Sequence, residues 1–172
     1  MVRAAVPSDI TTIATLHTAA RATYYEGRIP VAEYASAEVL AHVRAGWVRS
    51  IARDDGGVLC AEHEGDVAGV AAFRVIEGDV TGDMTLTQFH VDPARWSRGI
   101  GSALHTAVVE AWRRSGVRRA RLEVYEHNLR AQRFYAAHGW QPARDVVRAP
   151  DSAHLPMWRE VPPAGESPGR PD

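Results

Sequence analysis

The chain has no lysine and only one cysteine among its 172 residues, and no long apolar run. A nucleoside-triphosphate P-loop needs a Gly-Lys-Ser/Thr ending, so the missing lysine excludes that phosphate site. Cys60 cannot form an internal disulfide, and its place in the run GVLCA reads as a small buried hydrophobe. The longest apolar stretch, around Val67 to Phe73, is far too short to span a bilayer. The first residues lack a charged segment followed by a hydrophobic one, so the expectation is no secretory signal and a cytoplasmic location. Net charge is −1, which leaves no domain-wide basic field for nucleic acid. Twenty basic residues that are all arginine point to codon bias in a GC-rich bacterial genome.

What is present is a length and a 45% apolar content that suit one globular domain with a full core. That domain is expected over 1–160, followed by a Pro/Gly-rich tail, 161–172, expected to be disordered. Val2 to Ala5 reads as a first strand. Pro7-Ser8-Asp9 opens a helix with apolar positions Ile10, Ile13, Leu16 and Ala20, and a second helical stretch runs from about Val31 to Ser50. Strands VLCAEH and VAGVAAFRVI flank a hairpin turn at Glu64-Gly65-Asp66. Another strand leads to a helix from about Gly99 to Ser115, and a further strand covers Arg118 to Glu126. A helix after Asn128 and closing strands at Gln141 to Val147 and His154 to Arg159 follow. The order β-αα-ββββ-α-β-α-ββ is that of a mixed α/β (α+β) sheet flanked by helices.

Residues Val91 to Leu104 read VDPARWSRGIGSAL and carry the first functional signal. The β-prone run Met84 to Val91 enters Asp92-Pro93, then an Arg/Ser/Gly loop, then a helix opening at Gly99-Ile100-Gly101. The first N–H groups of a helix lack internal partners, and the macrodipole places partial positive charge there. Gly99, Gly101 and Ser102 keep side chains clear of those donors, and Arg95 and Arg98 add charge, which suits a pyrophosphate. A dinucleotide fingerprint would need Gly or Ala at Leu104 and an early place in a βαβ unit, and neither holds. The basic block 91–133, net +5, coincides with this segment. Arg113, Arg114, Arg118, Arg119 and Arg121 read either as a solvated surface or as groups near an adenosine end.

The run Arg98-Gly99-Ile100-Gly101, with V-x-P before it, resembles the cofactor loop of the GNAT superfamily of N-acetyltransferases, Q/R-x-x-G-x-G/A. Trp96 stands where that family usually has Gln or Arg, and Ser97 where Gly is frequent. Leu122 to Trp140, LEVYEHNLRAQRFYAAHGW, resembles the second family signature, N-x-x-A-x-x-F-Y followed by G-F. Asn128, Ala131, Phe134, Tyr135 and Gly139 match in spacing, and Trp140 replaces the Phe. The likeness covers roughly Val67 to Val147. It implies a mostly antiparallel GNAT-like sheet and acetyl-coenzyme A as co-substrate; no metal is assigned.

The resemblance also implies site residues. A splayed strand would offer main-chain groups of Phe89, His90 and Val91 to the thioester and pantetheine, with the Val91 N–H nearest the carbonyl. Main-chain groups of Trp96, Ser97, Arg98, Gly99, Ile100, Gly101 and Ser102 would hold the pyrophosphate. Asn128 reads as a helix cap or as a pantetheine contact. Tyr135 corresponds to the tyrosine that protonates the departing thiolate in many members, or it anchors the cofactor. Glu123 lies where ribosomal-protein N-terminal acetyltransferases place a catalytic Glu. His90, Glu26, Tyr25 or a water chain are the other candidates for the base.

The acceptor pocket in this family is shaped by the first two helices, which points to Tyr25, Glu26 and Gln88 as substrate-binding residues. Trp47 reads better as helix packing. The implied activity is direct transfer of acetyl from acetyl-coenzyme A to a primary amine of a small molecule or peptide in a ternary complex. A non-catalytic acetyl-coenzyme A sensor is the alternative, although it would lose Tyr135. A toxin-like enzyme acting on charged transfer RNA would want a more basic surface. No nucleic-acid or membrane partner is expected, and a homodimer is left open.

Overall fold

The structure, a computed structural model, describes residues 1–76, 82–143 and 152–163. Its strands lie in one seven-stranded sheet in the order β1-β2-β3-β4-β5-β7-β6, where β1 is Val2–Ala4, β2 Gly56–His63, β3 Asp66–Val75, β4 Met84–Val91, β5 Arg119–Tyr125, β6 Gln141–Pro142 and β7 His154–Glu160. The helices are α1 (Ile10–Tyr25), α2 (Ala32–Ala35), α3 (Ala37–Ile51), α4 (Ile100–Arg114) and α5 (Leu129–Ala137). Among the described residues three strands, not four, stand between α3 and α4. The expected second helix is also divided: Ser36 is extended (φ −70°, ψ 161°) and its hydroxyl accepts the Val39 N–H to cap α3. Two compact units are found: Met1–Arg74 with Thr87–Val108, and Val75–Leu86 with Val109–Asp172.

In the first unit, the i, i+3, i+4 pattern of α1 buries Ile13, Ala14, Leu16, His17 and Ala20. Ile13, Ala14 and Leu16 pack with Val43 and Trp47 of α3 and with Val58, Cys60, Val70 and Ala72 of β2 and β3. Trp47 is 2% exposed and Cys60 fully buried, as their sequence context suggests. β2 and β3 form an antiparallel hairpin whose turn residues Glu64 and Gly65 both have positive φ, 55° and 86°. That is the type I′ pattern, whose twist matches the strands it joins. Gly69 of β3 lets α4 sit close: a Cβ there would lie 3.3 Å from Ile100 Cγ2 and 3.4 Å from Leu104 Cδ2.

In the second unit, β5 pairs antiparallel with β7 along its whole length and parallel with Met84–Leu86 of β4. Ala120, Leu122 and Val124 bury one face of β5, while Glu123 of the other face is exposed. Trp112 at the end of α4 is fully buried, with the Trp140 ring 6.2 Å away edge-on. The carboxylate of buried Asp83 takes Arg119 Nε at 2.7 Å and an Arg121 nitrogen at 3.0 Å, so these two arginines serve the fold. Val161, at the start of the expected tail, is instead buried, and its N–H donates to Arg118 O at 2.8 Å. The rest of the tail, 164–172, and most of the strand expected over Gln141 to Val147 lie outside the described residues. No described helix is long and apolar enough to cross a membrane.

Candidate active site

The loop after β4 is shaped by local chemistry. Asp92 Oδ1 accepts the Ala94 N–H at 3.0 Å, which caps the 3₁₀ turn Pro93–Arg95, and proline suits the first position of such a turn. Arg95 ties the turn to the β2–β3 hairpin through Asp66 Oδ2 (2.8 Å) and His63 O (3.2 Å). Its charge is therefore engaged within the protein. Arg98 is exposed and no ion pair holds it among the described residues.

Two left-handed residues then bracket Arg98: Ser97 at φ 63° and Gly99 at φ 78°. Gly99 O accepts the Ala103 N–H at 3.0 Å, so Gly99 is the residue from which α4 starts. A Cβ at Gly99 would meet nothing within 4 Å, so the space beside it is open to a ligand. Ser97, Gly99 and Ser102 are exposed, whereas Ile100 is buried and orients the helix through its contact with β3.

Trp96 departs from the family pattern, and the structure gives it a use. Its indole Nε1–H donates to Val91 O at 3.0 Å, folding the loop back on the strand end. β4 itself has ladder partners in β5 only at Met84, Thr85 and Leu86. Phe89 is half-buried with the His105 ring 6.5 Å away edge-on.

On the α1 side, Gln88 and His90 share a strand face and are joined, His90 Nε2 to Gln88 Oε1, at 2.8 Å. The His90 ring stacks on His17 of α1, centroids 4.1 Å apart, and Trp47 Nε1–H donates to His17 Nδ1 at 3.2 Å. Burial, then the neighbouring His17 and Arg21, holds His90 well below its ordinary pKa. The ring is therefore neutral at neutral pH and a weaker base than a free imidazole. Tyr25 accepts from Arg21 at 3.4 Å and its ring lies beneath that guanidinium, 5.0 Å from it; Glu26 is exposed and ends α1. Burial and the neighbouring Tyr25 push the Tyr24 phenol up to about 12. His17 and Arg21 were not singled out from the sequence, although their four-residue spacing to Tyr25 marks one helix face.

In the second unit Asn128 Oδ1 accepts the Ala131 N–H at 3.1 Å, so it caps the helix that carries Tyr135. Tyr135 is 7% exposed, its ring against Trp140 (5.8 Å) and Phe134 (5.6 Å). Gly139, with φ 82°, ends that helix in the left-handed conformation its sequence context suggests. Glu123 is exposed on β5. Among the described residues no group of three or more His, Cys, Asp or Glu is placed to hold a metal ion.

The fold is shared with solved acetyltransferases. PaiA N-acetyltransferase from Thermoplasma acidophilum, solved with coenzyme A, superposes with a TM-score of 0.75 at 17% identity over 93% of this chain and 98% of that one. An acetyltransferase from Thermus thermophilus gives 0.72 at 16% identity over 94% and 96%. The ribosomal-protein-S18-alanine N-acetyltransferase from Escherichia coli gives 0.68 at 19% identity over 99% of both chains. No curated protein matches the sequence significantly. The model of the acetyltransferase (GNAT) family matches residues 14–140, from within α1 to the end of the second signature, and the chain belongs to that family.

Proposed function

We propose that this acetyltransferase moves the acetyl group of acetyl-coenzyme A directly to a primary amine of a small molecule or peptide in a ternary complex. The observation that carries the reading is the pair of left-handed residues, Ser97 and Gly99, opening onto the α4 N-terminus. There, main-chain N–H groups of Trp96 through Ser102 take the pyrophosphate, helped by the dipole and by Arg98.

Transfer needs a neutral amine, a site for the oxyanion and a stabilised thiolate. The amine starts as an ammonium of pKa about 10 and must lose its proton. Glu123, exposed and on β5, or water receives that proton in this reading. The Val91 N–H, at the strand end closed by Trp96, faces the thioester oxygen and stabilises it as charge develops. The amine forms the new C–N bond, the C–S bond breaks, and Tyr135 gives a proton to the leaving sulfur. Asn128 holds the helix bearing Tyr135 and meets the pantetheine arm, while Tyr25, Glu26 and Gln88 line the acceptor side.

The direct test is release of coenzyme A thiol when the protein is given acetyl-coenzyme A and a panel of amines. Release that depends on the amine, with the N-acetyl product found by mass spectrometry, is the expected result. Tight binding of acetyl-coenzyme A without release on any amine would favour a sensor instead.

A further inference from the structure

The geometry points to an acceptor that carries a carboxylate beside its amine, held by Arg21 together with Gln88 and His17. The inference rests on the amine-acetylation reading above and deepens it. His17, Arg21 and Tyr25 follow one another at four-residue steps along one face of α1. The inner end of that face meets β4, where His17 stacks on His90 and His90 bonds Gln88. The stripe therefore lies on the α1 side of β4, where the acceptor is expected.

Arg21 differs from Arg3 and Arg95, two other partly buried cations of the first unit. Arg3 pairs with Asp9 and Glu62, and Arg95 with Asp66. Arg21 is half-buried, yet among the described residues its partners are phenols, with Tyr25 Oη at 3.4 Å and the Tyr25 ring 5.0 Å below. A guanidinium has five donors, and phenolic oxygens neutralise none of its charge. Arg28, Arg44 and Arg49 also have no carboxylate partner among the described residues, but they are exposed to solvent. Stacking on a tyrosine ring fixes the Arg21 plane and leaves its fork shaped for a carboxylate.

Two further donors stand along the stripe. His17 Nδ1 accepts from Trp47, so its proton is on Nε2, and that atom is buried without a hydrogen-bond partner among the described residues. An unsatisfied buried donor is an uncommon feature that a ligand acceptor relieves. Gln88 uses Oε1 toward His90, which leaves its amide N–H groups as donors. A cluster made of one unpaired cation and spare donors attracts an anion and repels a second ammonium, so a simple diamine is disfavoured. An amino acid, with its amine one carbon from a carboxylate, fits this chemistry.

The test compares free amino acids of different side-chain class with their carboxamides, using acetyl-coenzyme A and thiol release. Rates are corrected for the fraction of neutral amine, because the two forms differ in pKa. The wild-type protein is expected to favour the acid by at least about tenfold in kcat/KM, the scale of one charge-assisted pair. Arg21→Gln should bring the acid-to-amide ratio toward one, and Arg21→Lys should keep part of the preference because it keeps the charge. Equal wild-type rates on acid and amide overturn the inference, as does an Arg21→Gln change that lowers both alike. If Arg21→Gln does not fold, the wild-type ratio and Arg21→Lys still decide. Absence of thiol release with every amine, acid or amide, overturns the transfer reading itself.

Discussion

The indole N–H of Trp96 donates to the carbonyl of Val91 at 3.0 Å, closing the loop before α4 onto the end of β4. The residue that departs from the family motif is thus a brace inside the loop. Trp96→Phe keeps the ring and removes the donor, so stability should fall by about 0.5–1.5 kcal/mol, the net worth of one hydrogen bond. Acetyl-coenzyme A affinity, measured by calorimetry, should weaken only a few-fold. A loss of a hundredfold would mean that the indole itself contacts the cofactor.

Gly101 stands in the first turn of α4, after the left-handed Ser97 and Gly99. Gly101→Glu places a negative side chain where the pyrophosphate is proposed to sit, and acetyl-coenzyme A binding should be lost while the circular dichroism spectrum is kept. Unchanged affinity would remove the loop from the binding site.

Tyr135 is buried with its ring against Trp140 and Phe134, so Tyr135→Phe preserves packing and removes only the hydroxyl. If the phenol protonates the thiolate, kcat falls by roughly 10²–10⁴ with cofactor affinity little changed. A loss confined to cofactor affinity would assign it an anchoring role.

The stacked pair His17 and His90 makes stability depend on pH. Burial, and then the Arg21 charge, pushes His17 down to about 4, and burial with both neighbours lowers His90 further from its usual range. Unfolded, both rings take up a proton near pH 6.5, which the folded protein refuses until much lower pH. The stabilisation is thus fully present above pH 6.5 and is lost as pH falls toward 4. For His17 alone this amounts to roughly 3 kcal/mol, at 1.36 kcal/mol per pH unit. Denaturant melts at pH 7.5, 6, 5 and 4.5 should show the decline, and His17→Phe should flatten it. An equal slope in the variant would place the acid sensitivity elsewhere.

Features set by short-range chemistry were legible in the sequence. Asn128 caps α5 because a short polar side chain reaches the N–H three residues on, and Gly139 takes the left-handed residue after that helix. Cys60 and Trp47 are buried because periodic apolar neighbours leave them no other face. The family itself was readable in two motifs whose main-chain roles depend on local turns.

Other features waited for tertiary structure. Nothing near His17 or His90 in sequence says that the two rings stack, because one lies on α1 and the other on β4 and only packing brings them together. Burial in the fold, and then the neighbouring His17, holds His90 well below its ordinary pKa, which depends on the water that folding removes. Arg119 and Arg121 read from the sequence either as solvated surface or as groups near an adenosine end, and only the fold sets the buried carboxylate of Asp83 beside them. The sequence by itself determined the family, the Asn128 cap and the Gly139 helix end, because each is encoded within a few residues. Which arginines meet a carboxylate, as Arg119 and Arg121 do at Asp83, was decided only by long-range packing, because an ion pair forms wherever folding happens to place its partners.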